Sequence, residues 1–350
     1  MLIPLADVPR WYAERKPADS IAVSHGADAL TWHELERRAN ARARAFAAKG
    51  VKPGDFVAIG LPNSNAFFET TFAVWKCGAT PTSLSWRLPR GEAAAVLEIL
   101  KPSLVVGGEA DWNAPNSLPV NFVPEGFSGE PLDAPVARYW KAMTSGGSTG
   151  RPKVILDHNP AVIETTTPLM LGIPHQASLL NPGPLYHNAP FILSHSALFG
   201  GGKLTGMVKF DAEETLRLIE RERVQWVNFV PTMMHRIWAL PEEVRNRYDV
   251  SSLQIVFHMA APMPPWLKEK WIEWLGPERV WELYGGTERQ GACVISGVEW
   301  MAHKGSVGKI GETAKLRIIG EDGNDVKPGE TGEIYFLPND GAGSDRKSVV

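Results

Sequence analysis

Cysteine is scarce in this 350-residue sequence, which contains only Cys77 and Cys293. The two lie far apart and lack metal-ligand spacing, which excludes a zinc finger or a disulfide scaffold and indicates two ordinary buried thiols in a reducing compartment. An excess of one charge is also absent, because 36 Lys and Arg residues face 39 Asp and Glu residues, a net charge of -3. The sequence therefore offers no basic field to hold nucleic acid or an anionic membrane surface.

Long apolar runs are missing as well. No stretch approaches about 18 uninterrupted apolar residues, and the N-terminal segment MLIPLAD lacks the basic and apolar regions of a secretion signal. We therefore predict no transmembrane segment and a cytoplasmic location. What is present is an average globular composition, 44% hydrophobic and 21% charged. In a chain longer than most single domains, this composition predicts one large α/β domain or two to three packed subdomains.

Helix and strand patterns alternate along the first third of the chain and again from residue 211. Thr31 and Glu34 have the spacing of a capping box at a helix start, and residues 65–76 and 90–100 have helical periodicity. Further strands are predicted at residues 56–61, 80–84, 104–106, 226–230, 253–257 and 280–283, and a further helix at residues 265–275. Strands separated by helices of this length predict a largely parallel sheet covered on both faces.

The strongest chemical signal is the segment TSGGSTGRPK at residues 144–153. Its density of glycine and hydroxyl residues predicts a loop rather than a helix or a central strand. Converging backbone N–H groups, hydroxyls and the Lys153 ammonium suit a polyphosphate. A flexible linker is the alternative, although linkers rarely run through Arg-Pro-Lys into an apolar strand. The P-loop NTPase pattern is excluded because no Gly-Lys-[Ser/Thr] closes the segment.

A second segment, WELYGGTE, ends a predicted strand. Tyr284 could stack on a base for roughly 1–3 kcal/mol. Gly285 and Gly286 allow close approach of the backbone, Thr287 offers a donor to phosphate, and Glu288 is a hard oxygen ligand for magnesium. A strand that ends in a tight Gly-Gly turn with a surface glutamate is the alternative.

Together the two segments resemble the signature motifs of the adenylate-forming superfamily, which comprises acyl-CoA synthetases, peptide-synthetase adenylation domains and luciferases. In the first motif Gly146 stands where most members have a serine. The second matches the family pattern Tyr-Gly-x-Thr-Glu without a gap, and Glu282 takes the place of the residue that faces the adenine amino group. Residues 260–262, Ala-Ala-Pro, resemble the Gly-Ala-Pro wall of the adenine pocket, with Ala260 in place of glycine.

The resemblance assigns site roles residue by residue. The residues implied to bind the nucleotide are Ser145, Gly146, Gly147, Ser148, Thr149, Gly150, Lys153, Ala260, Ala261, Pro262, Glu282, Tyr284, Gly285, Gly286 and Thr287. Catalytic roles are implied for Lys153, Thr149, His187, Thr287 and Glu288, and magnesium ligation for Glu288 and Thr149.

The histidines are interpreted by their neighbours. His187 lies in the segment PLYHN, which resembles the family segment whose histidine or aromatic residue lines the acyl site. A buried structural histidine is the alternative for His187. We predict structural roles for His195, His235 and His258, because no pair has zinc-ligand spacing.

The implied fold is the α/β, large N-terminal domain of adenylate-forming enzymes, with two αβ subdomains of mostly parallel sheets and a small β region that is incomplete at its C-terminal end. This domain is expected to span residues 1–344, and the family's mobile C-terminal domain has no counterpart in the sequence. Residues 345–350, DRKSVV, equal one reading frame of a common sequencing adapter and are predicted to be a non-native tail. A genuine, unusual tail is the alternative.

The implied activity is ATP-dependent conversion of a carboxylic acid to an acyl-adenylate, followed by transfer to coenzyme A, with ATP, Mg²⁺ and coenzyme A as the required small molecules. The local sequences around residues 186–191 and 285–290 resemble bile-acid and steroid-type CoA ligases, and a fatty acid is a further candidate substrate. A non-catalytic ATP- or AMP-binding fragment and an adenylation enzyme with another acceptor are the alternatives. The oligomeric state stays open, a homodimer included.

Overall fold

The structure is a computed structural model that describes residues 1–108, 112, 114, 116–145, 152–287, 291–312, 314–339 and 348–349. The helices are α1 (Val8–Ala13), α2 (Trp32–Ala48), α3 (Asn65–Lys76), α4 (Arg90–Leu100), α5 (Asn188–Phe199), α6 (Ala212–Glu222), α7 (Pro231–Trp238), α8 (Glu242–Arg245), α9 (Pro265–Leu275) and α10 (Gly297–Ala302). The strands are β1 (Leu2–Pro4), β2 (Ile21–His25), β3 (Asp28–Thr31), β4 (Phe56–Gly60), β5 (Thr80–Ser83), β6 (Leu104–Gly107), β7 (Ser117–Leu118), β8 (Lys141–Ser145), β9 (Lys153–Asp157), β10 (Val162–Glu164), β11 (Ser178–Asn181), β12 (Lys203–Gly206), β13 (Trp226–Phe229), β14 (Ile255–Met259), β15 (Val280–Gly285), β16 (Ala292–Ser296), β17 (Lys309–Ile310), β18 (Ala314–Ile319), β19 (Glu333–Pro338) and β20 (Ser348–Val349).

Two large sheets carry most of the described strands. The first has the order β17-β16-β15-β14-β13-β11-β12-β2-β3, and its strands from β15 to β2 are parallel. The second has the order β20-β9-β8-β5-β4-β6-β7, and its strands from β8 to β7 are parallel. Antiparallel strands occur at the edges of both sheets, and β1 with β10 and β18 with β19 form two separate pairs. The predicted α/β class with mostly parallel sheets is confirmed.

The glycine-rich segment differs from its prediction at both ends. Thr144 and Ser145 are the last residues of β8, and Lys153 is the first residue of β9. These two strands pair in antiparallel register, with Ser145 opposite Lys153. The prediction of a loop over residues 144–153 was therefore wrong at its ends, because the ladder between β8 and β9 overrides the weak strand propensity of the small residues. Residues 146–151 lie outside the described residues.

Local sequence explains where α2 begins and which face it buries. The Thr31 side chain accepts a hydrogen bond from the backbone of Glu34, and the Glu34 carboxylate accepts one from the backbone of Thr31, so the predicted capping box is confirmed. The apolar residues Leu35, Ala39 and Phe46 recur at helical spacing and are fully buried. Their face packs against α3, so that α2 and α3 cover one side of the core.

The two cysteines are free and buried, as predicted. Burial raises the pKa of the Cys77 thiol to about 12, so that it remains protonated and unreactive at neutral pH. Among the described residues, no helix is both long and apolar enough to cross a membrane.

The side-chain amide of Asn63 contacts both large sheets. Asn63 follows β4 of the second sheet, and its Nδ2 donates to the carbonyl oxygens of Gly183 at 2.8 Å and Met207 at 2.9 Å. Its Oδ1 accepts from the backbone N–H of Leu185 at 2.9 Å. Gly183 and Met207 follow β11 and β12 of the first sheet, so Asn63 holds the carboxyl ends of the two sheets together. The amide makes three of the four hydrogen bonds open to it.

Replacing Asn63 with Ala should lower the free energy of unfolding by about 2 kcal/mol, because the Met207 carbonyl and the Leu185 N–H lose this partner and the Gly183 carbonyl keeps only the Asn181 amide. Urea titration followed by circular dichroism measures this change. Asn121→Ala is the matched control, since Asn121 is exposed and should shift the free energy by less than about 0.5 kcal/mol. Equal effects of the two substitutions would contradict the linking role of Asn63.

Candidate functional site

Three neighbouring parallel strands end side by side and form the edge on which the candidate site is built. In the ladder of β13, β14 and β15, Phe229 lies opposite His258, and His258 lies opposite Glu282. The chain segments that leave these strands therefore emerge at one edge of the sheet. Crevices outside the carboxyl ends of parallel strands are the usual ligand sites of open α/β sheets. The structure thus brings the predicted base-binding residues of β15 next to the predicted adenine wall that follows β14.

Tyr284 and Glu282 lie two residues apart on β15, so their side chains point to the same face of the sheet. The Tyr284 ring is 40% exposed, and its nearest described aromatic neighbour is Phe336, with ring centroids 6.3 Å apart. An aromatic face left open at a strand end suits stacking on a planar ring. Gly285 is closely covered, because a Cβ there would lie 3.1 Å from the carbonyl oxygen of Gly291. Because Gly285 has no Cβ, the pairing of β15 with β16 continues one residue past Tyr284.

Glu282 has a partner that sequence reasoning missed. Lys268 Nζ donates to Glu282 Oε2 at 2.5 Å, and the Lys268 side chain is 1% exposed. Lys268 lies on the buried stripe of α9, three residues before Trp271 and four before Ile272. The sequence held one indication that Lys268 is buried, namely its helical spacing from these two apolar residues. Burial lowers the pKa of Lys268, while the Glu282 carboxylate acts in the opposite direction.

His258 is fully buried beside this ion pair. Its Nε2 lies 3.7 Å from Glu282 Oε2, beyond hydrogen-bond distance, and neither ring nitrogen has a hydrogen-bond partner among the described residues. Burial, and then the nearby Lys268 ammonium, lower the pKa of His258 to about 3. The imidazole is therefore neutral at physiological pH, and the charged groups of the cluster are one ammonium and one carboxylate.

The segment after β14 contains a strained residue. Ala260 has a φ of 72°, in the left-handed region that favours glycine, and it is exposed. Ala261 and Pro262 follow it and begin the connection to α9. Ala260, at the predicted adenine wall, therefore adopts a conformation that glycine would reach without strain.

Lys153 is an exposed residue at the start of β9, where the glycine-rich segment ends. It forms no ion pair with any other described residue. Several predicted site residues lie outside the described residues: Gly146, Gly147, Ser148, Thr149, Gly150 and Glu288. The predicted magnesium ligands Thr149 and Glu288 are among them. Within the described ranges, no three His, Cys, Asp or Glu side chains are grouped as a metal site.

His187 immediately precedes α5, whose first residue is Asn188. Its ring centroid lies 4.6 Å from that of Tyr186. The residue is exposed to solvent. Its surroundings still desolvate the imidazole in part, which lowers the pKa of His187. His187 is thus an accessible, neutral histidine beside an aromatic ring, close to the Leu185 amide that Asn63 holds.

Comparison with known proteins assigns the class. The family described as AMP-binding enzyme matches residues 9–132 and 141–337, and the chain belongs to it. A feruloyl-CoA synthase of Amycolatopsis sp. is 32% identical over 333 residues, which cover 91% of this chain and 67% of that protein. An indoleacetate–CoA ligase of Aromatoleum aromaticum is 28% identical over 335 residues, covering 87% of this chain and 64% of the ligase. The chain therefore spans about two thirds of the length of these relatives.

Solved structures agree on the fold. An o-succinylbenzoate CoA synthetase of Bacillus subtilis superposes with a TM-score of 0.81 at 22% identity, over 97% of this chain and 70% of the synthetase. The N-terminal domain of FACL13 from Mycobacterium tuberculosis superposes with a TM-score of 0.78 at 20% identity, over 96% of this chain and 89% of that domain. The predicted fold, the large N-terminal domain of adenylate-forming enzymes, is confirmed.

Ala260→Gly should raise the free energy of unfolding by roughly 0.5–1 kcal/mol, because removing a Cβ from the left-handed region recovers about 1–2 kcal/mol, of which the added chain entropy of glycine offsets roughly 0.5–1 kcal/mol. Ala261→Gly is the matched control. Its backbone is not left-handed, so the added chain entropy of glycine should lower stability by roughly 0.5–1 kcal/mol. Thermal denaturation of the two variants measures the pair of effects, and a destabilised Ala260→Gly variant would contradict the strain.

Proposed function

We propose that this chain is the adenylate-forming part of an acid–CoA ligase. It binds ATP, joins a carboxylic acid to the AMP moiety with release of pyrophosphate, and supplies the acyl group that the complete protein transfers to coenzyme A. The observation that carries the proposal is the edge formed by β13, β14 and β15, where an open tyrosine ring and a buried glutamate share one face of β15. Residues 1–344 form the corresponding domain.

The proposed roles of the base site follow from its geometry. Tyr284 covers one face of the adenine ring, and Ala260, Ala261 and Pro262 line the opposite side of the site through their backbone. Glu282 accepts a hydrogen bond from the adenine amino group through the oxygen that Lys268 leaves free. Stacking supplies affinity for any base, whereas a fixed acceptor distinguishes an amino group from a carbonyl.

The proposed roles of the phosphate site follow from charge. The Lys153 ammonium stabilises negative charge that develops on the α-phosphate and on the leaving pyrophosphate. The glycine and hydroxyl residues from Ser145 to Gly150 are of the types that offer backbone and hydroxyl donors to phosphates, and Thr287 adds a donor after β15. The carboxylate of Glu288 and the hydroxyl of Thr149 are hard oxygen ligands of the kind that Mg²⁺ prefers. When bound, the ion would neutralise phosphate charge.

The proposed acid is aromatic. The relatives named above act on ferulate, indoleacetate and, in the superposed structure, o-succinylbenzoate, according to their names. None of these names contains a bile acid or a steroid, so those expected substrates gain no support from them. His187 and Tyr186 are the proposed wall of the acid site, since an exposed neutral imidazole beside a ring can pack against an aryl group.

A substrate panel tests the proposal. The chain is mixed with ATP, Mg²⁺ and one of ferulic, indoleacetic, palmitic or cholic acid or phenylalanine, and released pyrophosphate is measured. We expect the two aromatic acids to support the fastest release. ATP binding by calorimetry without acid-dependent release would favour the alternative, a nucleotide-binding polypeptide without catalysis. Release that depends on phenylalanine alone would contradict the assignment to CoA ligases.

Lys153→Ala should reduce acid-dependent pyrophosphate release by about 10²-fold or more, because the cation that stabilises developing phosphate charge is lost. Lys52→Ala is the control, since Lys52 is an exposed lysine in the connection before β4 and should leave the rate unchanged. The rates are compared at saturating ATP and acid. An unchanged rate in Lys153→Ala would remove this residue from the mechanism.

Tyr284→Ala should weaken ATP binding by roughly 1–3 kcal/mol, because the stacking surface is removed. Tyr284→Phe is the matched control and should be nearly silent, since the phenolic oxygen donates to no described residue. Isothermal titration of ATP into each variant measures the difference. Equal losses would indicate a hydrogen bond from the hydroxyl in place of stacking.

A further inference from the structure

A buried ion pair lies directly behind the proposed base site. Lys268 and Glu282 are 1% and 8% exposed, and they join α9 to β15 through a 2.5 Å contact. Removing two charges from water costs several kcal/mol per ion, and well-packed apolar residues often stabilise a fold as well or better. Stability alone therefore does not account for the pair, and its location one turn into α9, directly behind the edge of β15, suggests a role at that edge.

Among the described residues, Glu282 is the one anionic partner of Lys268. Its Nζ lies 4.9 Å from the centroid of the Trp300 ring on α10, and His258 on β14 is the other polar side chain of the cluster. Because His258 is neutral at physiological pH, it does not compete with Lys268 for the carboxylate. Trp300 and His258 thus restrict the ammonium to Glu282, and the ammonium in turn restricts the rotation of that carboxylate.

The two oxygens of Glu282 are consequently unlike each other. Oε2 accepts from Lys268 and also lies nearer to His258. Oε1 accepts no hydrogen bond from any described residue, and it is not among the buried polar atoms that lack a partner. The Glu282 side chain retains 11% exposure, whereas those of Lys268 and His258 retain 1% and 0%. Of the two oxygens, Oε1 is therefore the one without a described hydrogen-bond partner, and its side chain lies on the same face of β15 as the Tyr284 ring.

We propose that Lys268 is a positioning residue that determines base specificity: by holding Oε2 of Glu282, it keeps Oε1 turned to the nucleotide as an acceptor that accommodates an amino group and rejects a carbonyl. This inference rests on the proposed function, because it requires an adenine nucleotide against Tyr284. A base with a carbonyl at the same ring position places two acceptors against each other, and neither can be satisfied. Without Lys268, the carboxylate loses its fixed orientation and the discrimination falls.

The test compares ATP with inosine triphosphate, in which a carbonyl replaces the amino group of adenine. Calorimetry on the 350-residue chain gives a dissociation constant for each nucleotide. We expect the unmodified chain to prefer ATP by about tenfold or more, the effect of one unsatisfied acceptor in a buried site. Lys268→Met should reduce this ratio to less than about threefold, with a much smaller change in affinity for inosine triphosphate.

Two further variants separate positioning from folding. Lys270→Met is the matched control, because Lys270 lies on the same helix, is 47% exposed and pairs with Glu273 at the surface. It should keep the full preference for ATP. The double variant Lys268→Met/Glu282→Gln removes both charges and so leaves no unpaired ion in the interior. It should remain folded by circular dichroism and still lose the preference, because the glutamine amide can offer either an oxygen or an N–H.

The outcomes are distinct. A preference for ATP that survives in a folded Lys268→Met variant would overturn the positioning role and leave Lys268 a structural residue. If Lys268→Met does not fold, a preference that survives in the double variant would overturn it equally. Equal binding of the two nucleotides by the unmodified chain would overturn base specificity while the proposed function stands. Failure of the unmodified chain to bind either nucleotide would contradict the proposed function itself, and the inference with it.

Discussion

The hydrogen bonds of the Asn63 amide connect the carboxyl ends of two parallel sheets, and the geometry of the candidate site depends on that connection. Parallel pairing already places the ends of β13, β14 and β15 side by side. It also directs β8, which leads into the glycine-rich segment, towards the carboxyl edge of the second sheet. The two sheets share a hydrophobic core, and a contact between their carboxyl edges further relates the proposed base-binding strand to the proposed phosphate-binding segment. Asn63 supplies such a contact beside Leu185, two residues before His187.

The carboxyl edge of β14 and β15 also has a strained backbone residue and a buried ion pair next to it. Ala260 adopts a left-handed conformation directly after β14, and Lys268 and Glu282 form an ion pair directly behind β15. Such features lower stability unless the surrounding structure compensates for them, and they concentrate where function requires them. Here they adjoin the open Tyr284 ring. This arrangement favours a site in which stacking supplies affinity and a fixed carboxylate supplies selectivity.

Much of this fold could be predicted from the sequence, because its elements have strong local signals. The bounds of α3, α4 and α9 agree with their periodicity, and the capping box at Thr31 fixes the start of α2. Tyr284 was placed at a strand end, as found. Lys268 escaped prediction because a lysine on a helix is ordinarily solvent-exposed, and only the tertiary contact between α9 and β15 buries it. The strand ends at Ser145 and Lys153 were not predicted either, because a tertiary contact, the pairing between β8 and β9, determines where these strands end.

The central claim is that an adenine nucleotide binds against the carboxyl edge of β15, and a crystal structure of the chain with a non-hydrolysable ATP analogue and Mg²⁺ tests it most directly. The account predicts the adenine ring stacked on Tyr284, its amino group within hydrogen-bond distance of Glu282 Oε1, and the phosphates beside Lys153. A nucleotide bound away from β15, or an adenine amino group that faces solvent while Glu282 stays unpaired at Oε1, would contradict it.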